Sequence, residues 1–244
     1  MIRTVPETGS TNADLLAALR GGERVAEGDW LVALRQTAGR GRQGREWFDG
    51  AGNFMGSTLV RLSPADPPAA SFALTAALAV YEAVIPLLPD PSALRLKWPN
   101  DLTFAGAKLA GILLEREGEA LVVGIGVNLA KAPVIEGRAT LALAELVPAP
   151  DRDLFARALA ATFALELRRW RDYGLEPLVR RWQAAAHPLG TSLSVSPPGE
   201  PPLMGHYDGL TQDGALRLRL ADGVCRVIHA GDVFFAHAPQ HEKG

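Results

Sequence analysis

Length, composition and charge exclude several classes of protein. The chain has 244 residues, of which 48% are hydrophobic and 21% are charged, and its formal net charge is −2. Extensive disorder is not expected at this composition, and the near-neutral charge argues against bulk attraction to nucleic acid or to an anionic membrane. A single cysteine, Cys225, excludes an intrachain disulfide and a multi-cysteine metal site. The first residues lack the layout of a signal peptide, so we predict a soluble, cytoplasmic protein.

The first half of the chain mixes strand and helix patterns. A helix is predicted from Ser10 to Arg20, and the apolar stretch Phe72 to Leu88 is typical of a buried helix rather than a membrane span. Runs of strand length occupy residues 30–36, 53–62, 94–98, 108–115 and 120–128. The last run is apolar nearly throughout, which indicates a central strand that is covered on both faces.

The pattern changes after Asp151. Two amphipathic helices are predicted, the first from the spacing of Leu154, Ala158, Leu159, Phe163, Leu167 and Trp170, and the second from Leu175, Leu178, Val179, Trp182 and Ala186. After His187 the period falls to two, because Leu216, Leu218 and Leu220 alternate with arginines. We therefore predict two domains, residues 1–187 and a small all-β module of residues 188–244.

An Arg-Gly loop follows the first predicted strand. It runs from Gly39 to Arg45 and carries Arg40 and Arg42, with glycines between the arginines. Glycine lets the backbone approach a ligand, and the guanidinium group suits phosphate or carboxylate. The alternative is a solvated segment that touches RNA without specificity. A short, single loop between a strand and Trp47 favours the first interpretation.

A second polar segment surrounds Pro99. The proline ends a strand and forces a bend that presents Lys97, Asn100 and Asp101 together. A cation beside two oxygen-bearing side chains suits a phosphate with bound magnesium. An ordinary β-turn with Asn-Asp in turn positions explains the same residues equally well.

Two further features carry weaker signals. Lys108 begins an apolar strand and is followed by Gly111. This arrangement suits a lysine that points into a pocket. A lysine at the edge of the sheet that reaches solvent explains it equally well. The segment from Gly124 through Gly126 to Asn128 is neither a full dinucleotide fingerprint nor a phosphate loop. Close packing of a central strand is its alternative explanation.

Taken together and in order, these segments closely resemble the biotin protein ligase family, the biotin–[acetyl-CoA-carboxylase] ligases. The resemblance rests on STN at residues 10–12, QTAGRGRQGREW at 36–47, KWPNDL at 97–102, KLAGILLE at 108–115 and GIGVN at 124–128. Some members of the family carry an N-terminal DNA-binding domain. Because STN begins at residue 10, we expect the form without that domain.

The resemblance implies a two-step ligase. The carboxylate of biotin attacks the α-phosphate of ATP, with Mg²⁺ as cofactor, and gives biotinyl-5′-adenylate and pyrophosphate. A lysine of a biotin carboxyl carrier protein then accepts biotin and releases AMP. Charge neutralisation and alignment supply the rate, so no nucleophilic side chain is required. The expected partner is the carrier protein, with no DNA or membrane partner, and a homodimer is an open expectation.

The resemblance also implies site residues. Biotin contacts are expected from Ser10, Thr11, Asn12, Gln36, Gly39, Arg40, Gly41, Arg42, Lys108, Gly111, Gly124 and Gly126, of which the three last leave room for the rings of biotin. ATP contacts are expected from Arg42, Arg45, Lys97, Asn100 and Asn128, and Mg²⁺ contacts from Asn100 and Asp101. Arg42 and Lys108 are the expected catalytic residues. Some members place a tryptophan over adenine, but this chain has none between Asn128 and Trp170, so Arg138 or a nearby apolar residue is the expected substitute.

The implied fold is an α/β (α+β) catalytic domain with a mixed sheet, followed by a small β-barrel of the Src-homology-3 type. Two other functions remain open. A relative that activates lipoate or octanoate is disfavoured because Ser10, Thr11 and Gln36 suit a ureido group better than an aliphatic chain. An RNA-binding protein is disfavoured by the net charge and by the lack of aromatic residues among the arginines.

Overall fold

The computed structural model describes residues 1–236 of the chain. Its helices are α1 (Thr11–Arg20), α2 (Phe72–Val84), α3 (Arg152–Tyr173) and α4 (Leu175–Ala185). Its strands are β1 (Ile2–Val5), β2 (Trp30–Ala33), β3 (Phe54–Arg61), β4 (Leu94–Lys97), β5 (Asp101–Phe104), β6 (Ala107–Glu117), β7 (Ala120–Val127), β8 (Ser192–Ser196), β9 (Leu203–Leu210), β10 (Leu216–Arg219), β11 (Cys225–Ile228) and β12 (Asp232–Phe235). The predicted second domain extends to residue 244, so its last eight residues lie outside the described part.

A seven-stranded mixed sheet forms the first layer. Its order is β1-β2-β3-β7-β6-β5-β4, in which β1 and β2 are parallel and the other neighbours are antiparallel. Strand β7 lies at the centre, and all of its residues except Gly124 are buried. This confirms the central strand predicted from its uninterrupted apolar sequence.

Helices cover both faces of this sheet. On one face α2 packs against the sheet and against α3, and the core there includes Phe72, Phe163 and Trp170. On the other face α1 buries Leu15 and Leu16. The helical segment Ala69–Leu87 is long and apolar enough to cross a membrane by composition, but 61% of its most apolar stretch is buried inside the structure. The buried helix predicted there is confirmed.

The buried stripe of α3 differs from the predicted one. Phe155, Leu159 and Phe163 are buried, whereas Leu154 is 61% exposed. A step of four residues keeps Phe155, Leu159 and Phe163 on one helical face, while Leu154 lies about 100° away from Phe155 on the helix. The prediction of Leu154 as a core residue was wrong.

The last five strands form a separate antiparallel sheet with the order β11-β10-β9-β8-β12. Leu216 and Leu218 are fully buried and alternate with the more exposed Arg217 and Arg219, as the period of two predicts. The all-β module is confirmed. Within residues 1–236, the five strands form one antiparallel sheet whose edge strands β11 and β12 are not paired with each other. The boundary at residue 187 stays a prediction.

This module is packed against α4 and against the end of β4 in the first sheet. The indole nitrogen of Trp98 donates to the carbonyl of Gly214 at 3.1 Å, and the backbone N–H of Leu210 donates to Oε1 of Gln183 at 2.7 Å. Apolar residues of both parts belong to one continuous core. The packing brings β12 alongside the Arg-Gly loop.

Candidate active site

One cavity of about 470 Å³ lies over β6 and β7, beneath the Arg-Gly loop and β12. This volume is in the range of ordinary small-molecule sites. Its walls contain every predicted site residue except Gly39: Ser10, Thr11, Asn12, Gln36, Arg40, Gly41, Arg42, Arg45, Lys97, Asn100, Asp101, Lys108, Gly111, Gly124, Gly126 and Asn128. Gly39 instead packs behind the loop, where a Cβ would lie 3.1 Å from Gln36 and from the Trp47 carbonyl. The structure thus gathers residues from distant parts of the sequence.

Short hydroxyl and amide side chains build one end of the cavity. The backbone N–H of Thr11 donates to Oε1 of Gln36 at 2.8 Å, and the Thr11 hydroxyl lies 2.6 Å from that of Ser57. Ser57 in turn donates to Oδ1 of Asn12 at 2.6 Å. All four side chains are buried. Hydrogen-bonding groups held this rigidly suit a small polar ring.

Cations gather about Asp101 at the other end. Lys108 Nζ donates to Oδ1 of Asp101 at 2.6 Å, and Lys97 Nζ lies 3.8 Å from Oδ2. Burial raises the pKa of Asp101, but Lys108 and Lys97 outweigh it and hold this pKa below its usual value of 3.8. Burial lowers the pKa of Lys97 below 10.5, Asp101 opposes that change, and Lys108 adds to it. The carboxylate therefore holds two lysines side by side, where they can meet an anion.

Asn100 and Asp101 do not form a magnesium site in this arrangement. The two carboxylate oxygens of Asp101 face Lys108 and Lys97, and Oδ1 of Asn100 accepts a hydrogen bond from Arg42 at 3.0 Å. Among residues 1–236 there is no group of three or more acidic, histidine or cysteine side chains that could hold a metal. Mg²⁺ needs oxygen ligands that face it. The residues do not fit a resident metal ion, and no step is derived through one.

The Arg-Gly loop is tied to the β module. Arg42 donates to Asn100 at 3.0 Å and to the carbonyl of Gly231 at 3.1 Å, and Arg45 contacts both oxygens of Asp232 at 2.7 and 2.8 Å. Burial lowers the pKa of Arg42 below its usual value, with Asp232 opposing the change. Both guanidinium groups are thereby directed into the cavity wall.

Protein side chains occupy the space over the three glycines that were expected to leave room for biotin. A Cβ on Gly126 would lie 2.2 Å from the indole ring of Trp47, and one on Gly124 would lie 2.4 Å from Oδ1 of Asn12. On Gly111 the nearest Trp47 atom would be 3.0 Å away. These glycines therefore admit site side chains against the sheet. That they also leave room for the rings of biotin stays a prediction.

The loop that follows β7 closes the cavity near Lys108. Asn128 donates weakly to the carbonyls of Lys108 at 3.5 Å and Leu141 at 3.3 Å, and its Oδ1 is buried without a partner in the described structure. Arg138 stacks over the ring of Phe234, with its guanidinium carbon 4.9 Å from the ring centre. The guanidinium group and the ring together form a flat surface in the cavity wall. The sequence has no tryptophan between Asn128 and Trp170 to form such a surface.

Several lining residues were missed by the sequence analysis. Trp47 was noted only as the end of a motif, yet its ring lies across the cavity floor and its Nε1 lacks a partner among the described residues. Ser57 lies in the middle of a strand, where alternation signals burial alone. Asp232 and Phe234 lie on β12, a strand of four residues that gave no pattern of its own. Only docking of the module onto the first sheet brings them to the site.

Comparisons with known proteins agree with this geometry. The sequence pattern of the Biotin/lipoate A/B protein ligase family matches residues 8–130, and that of the Biotin protein ligase C terminal domain matches residues 204–236. A biotin–[acetyl-CoA-carboxylase] ligase from Paracoccus denitrificans is 39% identical over 93% of this chain and 98% of that protein. One from Mycobacterium tuberculosis is 38% identical over 94% of this chain and 86% of that protein.

A solved structure shows the same fold. The biotin protein ligase from Aquifex aeolicus, in complex with biotin and ATP, superposes with a TM-score of 0.85 at 25% identity, covering 96% of this chain and 99% of that one. The two family patterns match the first sheet region and the C-terminal module in chain order, and the fold as a whole superposes on that of the Aquifex aeolicus enzyme. The chain belongs to the Biotin/lipoate A/B protein ligase family, on its biotin protein ligase branch.

Proposed function

We propose that this chain is an ATP-dependent biotin protein ligase. The observation that carries the proposal is the two-ended cavity, with a rigid polar end at Thr11 and Gln36 and a cluster of cations at Lys97 and Lys108. Biotin has the same division, with a ureido ring at one end and a carboxylate at the other. Relatives named biotin–[acetyl-CoA-carboxylase] ligase support this substrate over others in the family.

The first reaction joins two anions. A carboxylate oxygen of biotin attacks the α-phosphorus of ATP, the bond to the β-phosphate oxygen breaks, and pyrophosphate leaves. Attack is slow in water because the reactants repel each other and are not aligned. Lys108, Lys97 and Arg42 lie at one end of the cavity, where they neutralise the carboxylate and the phosphates during approach. Arg45 lines the same cavity and is paired with Asp232 on β12.

The second reaction needs no enzyme nucleophile. A lysine amine of the acceptor attacks the acyl carbon of biotinyl-adenylate, an amide forms, AMP leaves and the amine loses a proton. The cavity supplies alignment and charge for this step as well. By the names of the relatives, the acceptor is the biotin carboxyl carrier domain of acetyl-CoA carboxylase. A homodimer, a cytoplasmic location and the absence of DNA and membrane partners stay predictions.

Adenine has a candidate surface beside the cation cluster. Arg138 and Phe234 stack on each other and line the cavity, and Asn128 has a buried acceptor oxygen without a partner in the described chain. We assign the purine to this region, with Arg138 in place of the missing tryptophan. Magnesium then arrives with ATP, since the described residues contain no group of three or more acidic, histidine or cysteine side chains to hold it beforehand.

The test is pyrophosphate release by purified protein. We expect release only when biotin, ATP and Mg²⁺ are all present, and transfer of biotin to a carrier domain in a following step. Equal turnover with lipoate or octanoate would support the other branch of the family instead. Binding of single-stranded RNA without any turnover would support the binding-protein alternative. Isothermal titration with biotin alone distinguishes the biotin ligase from the lipoate or octanoate ligase and from the RNA-binding protein.

A further inference from the structure

A chain of hydrogen bonds links the polar end of the cavity to Glu115, which does not line it. Asn12 Nδ2 donates to Oε2 of Glu115 at 2.8 Å, and Oδ1 of the same amide accepts from the Ser57 hydroxyl at 2.6 Å. The Ser57 and Thr11 hydroxyl oxygens are 2.6 Å apart. Asn12 lies at the start of α1, and Glu115 lies on β6 beneath it.

The direction of each bond follows from Glu115. An ionised carboxylate only accepts hydrogen bonds, so it binds the NH₂ group of Asn12 and turns the amide oxygen toward Ser57. Ser57 has one hydroxyl proton and gives it to that oxygen. The short Ser57–Thr11 contact must then use the proton of Thr11. Each group in the chain therefore has one orientation.

The outcome at the cavity is a pair of acceptors. The Thr11 hydroxyl has one proton and two acceptors within reach, the Ser57 hydroxyl at 2.6 Å and Oε1 of Gln36 at 3.1 Å. When Ser57 takes this proton, the Thr11 hydroxyl presents only lone pairs beside Oε1 of Gln36, which the Thr11 backbone N–H fixes at 2.8 Å. Two acceptor oxygens side by side repel each other until a donor comes between them. A ureido N–H is such a donor, whereas the aliphatic tail of lipoate or octanoate has none.

Gly124 holds the amide in the same position from the other side. A Cβ at residue 124 would lie 2.4 Å from Oδ1 and 2.9 Å from Cγ of Asn12, so only glycine admits this rotamer. Asn12 is itself 4% exposed, which leaves little room for the amide to move elsewhere. Two independent features, one charged and one steric, thus fix one side chain.

We propose that Glu115 is a positioning residue that sets the proton direction of this chain and thereby makes Thr11 an acceptor for a ligand N–H. It acts through Asn12 and Ser57 and touches no reacting atom. The inference rests on the proposed function and deepens it. It names a source of selectivity for a carboxylic acid with a ureido ring over small carboxylic acids without one. Its failure is distinguishable, since a wild-type protein that binds no biotin contradicts the function itself.

The experiment compares two ligands by titration calorimetry: biotin, and a biotin derivative methylated on its ureido nitrogens. We expect Glu115→Leu to weaken biotin binding about tenfold, since one directed hydrogen bond is lost, and to leave binding of the methylated derivative unchanged. KM for biotin should rise with little change in kcat. Glu115→Gln keeps an acceptor for Asn12 and should restore most of the affinity.

Glu117→Leu is the matched control. Glu117 also joins β6 to α1, through Arg20 at 2.7 Å, but it is half-buried and bonds to Arg20 rather than to Asn12. Both ligand affinities should stay at wild-type values in this variant. If Glu115→Leu weakens the binding of both ligands equally, or the binding of neither, the proposal is wrong and Glu115 only holds α1 on the sheet. If that variant does not fold, Ser57→Ala interrupts the same hydrogen-bond chain. It should lower the affinity for biotin relative to the affinity for the methylated derivative in the same way.

Discussion

At the scale of single residues, the site depends on one half-buried carboxylate. Asp101 touches both lysines that face the ligand, and its pKa is held below 3.8 because their attraction outweighs its burial. A group of this kind contributes stability above its unfolded pKa and loses it as pH falls through the folded value. The charges that serve chemistry therefore also serve folding, and the two roles have to be separated by experiment.

Replacing Lys108 by methionine should separate them in part. Loss of its charge should slow pyrophosphate release at least about 100-fold, the order seen when one transition-state contact is removed. It should also lower the free energy of unfolding by about 2 kcal/mol, because Asp101 loses a charged hydrogen bond but keeps the attraction of Lys97 and Arg42. Urea unfolding and pyrophosphate release measure the two effects.

The double variant Lys108→Met with Asp101→Asn is the control. Removing the carboxylate that has lost its nearer lysine should return much of the lost stability without returning activity. Recovery of both would contradict a direct role for Lys108 and would leave it as a structural partner of Asp101.

Gly126→Ala tests the floor of the cavity. The new methyl group would lie 2.2 Å from the ring of Trp47 and should push the indole into the ligand space. We expect at least about a tenfold loss of biotin affinity by titration with a small change in melting temperature, because the displaced atoms are the end of one side chain. Gly9→Ala, whose methyl group meets nothing within 4 Å, is the matched substitution and should bind biotin normally.

The scale of elements shows how much of the fold can be predicted from the sequence. The positions of α3, α4, β6 and β7 were predicted nearly to their ends. Each is a long segment whose burial, on one face or on both, requires a regular pattern of apolar residues. Strands β1, β5 and β12 were missed. Each has four residues, too few to show a period, and β5 is hidden behind the turn at Pro99 that was correctly predicted.

The site follows the same rule. Its motif residues were predicted because glycines and charges of this kind are rare in strands, and all but Gly39 line one cavity. Ser57 and Phe234 were not predicted, since a buried serine in a strand and a phenylalanine in a short strand look like ordinary core residues. Their roles depend on which elements pack together, and no local pattern records that.

Strand β12 should also control the Arg-Gly loop. Asp232→Ala removes the partner of Arg45, so the loop should open more often and trypsin should cut at residues 40–45 several times faster. Biotin with ATP should slow cleavage in both proteins. Glu200→Gln, which breaks an exposed pair with Arg226 in the same module, should leave the cleavage rate unchanged. Equal rates for Asp232→Ala and wild type would contradict this restraint.

At the scale of the whole molecule, the junction between the two sheets contains a histidine that is held neutral. His187 packs against the ring of Phe235 at 4.4 Å and lies 3.3 Å from the hydroxyl of Thr103. Burial, with help from Lys97 and Arg95, lowers the pKa of His187 to about 4. The unfolded chain takes up a proton near pH 6.5, whereas the folded chain resists it.

Stability should therefore fall as pH decreases from 6.5 toward 4.5, because in this window the unfolded state binds more protons than the folded state. The full change in the pKa of His187 corresponds to at most about 3 kcal/mol of unfolding free energy. Partial exposure of the imidazole ring reduces this contribution. Urea unfolding across this window measures the slope. His187→Gln should flatten the slope, and an unchanged slope would assign it to other groups.

The cavity wall joins Ser10, near one end of the described chain, to Phe234, near the other. During synthesis the amino-terminal part emerges and folds first. A nascent chain can thus build its central sheet and bury α2 while still lacking the last wall of the cavity. Such a ribosome-bound intermediate has no closed compartment in which to hold a reactive acyl-adenylate, so capacity for the reaction arises only once translation has passed β12.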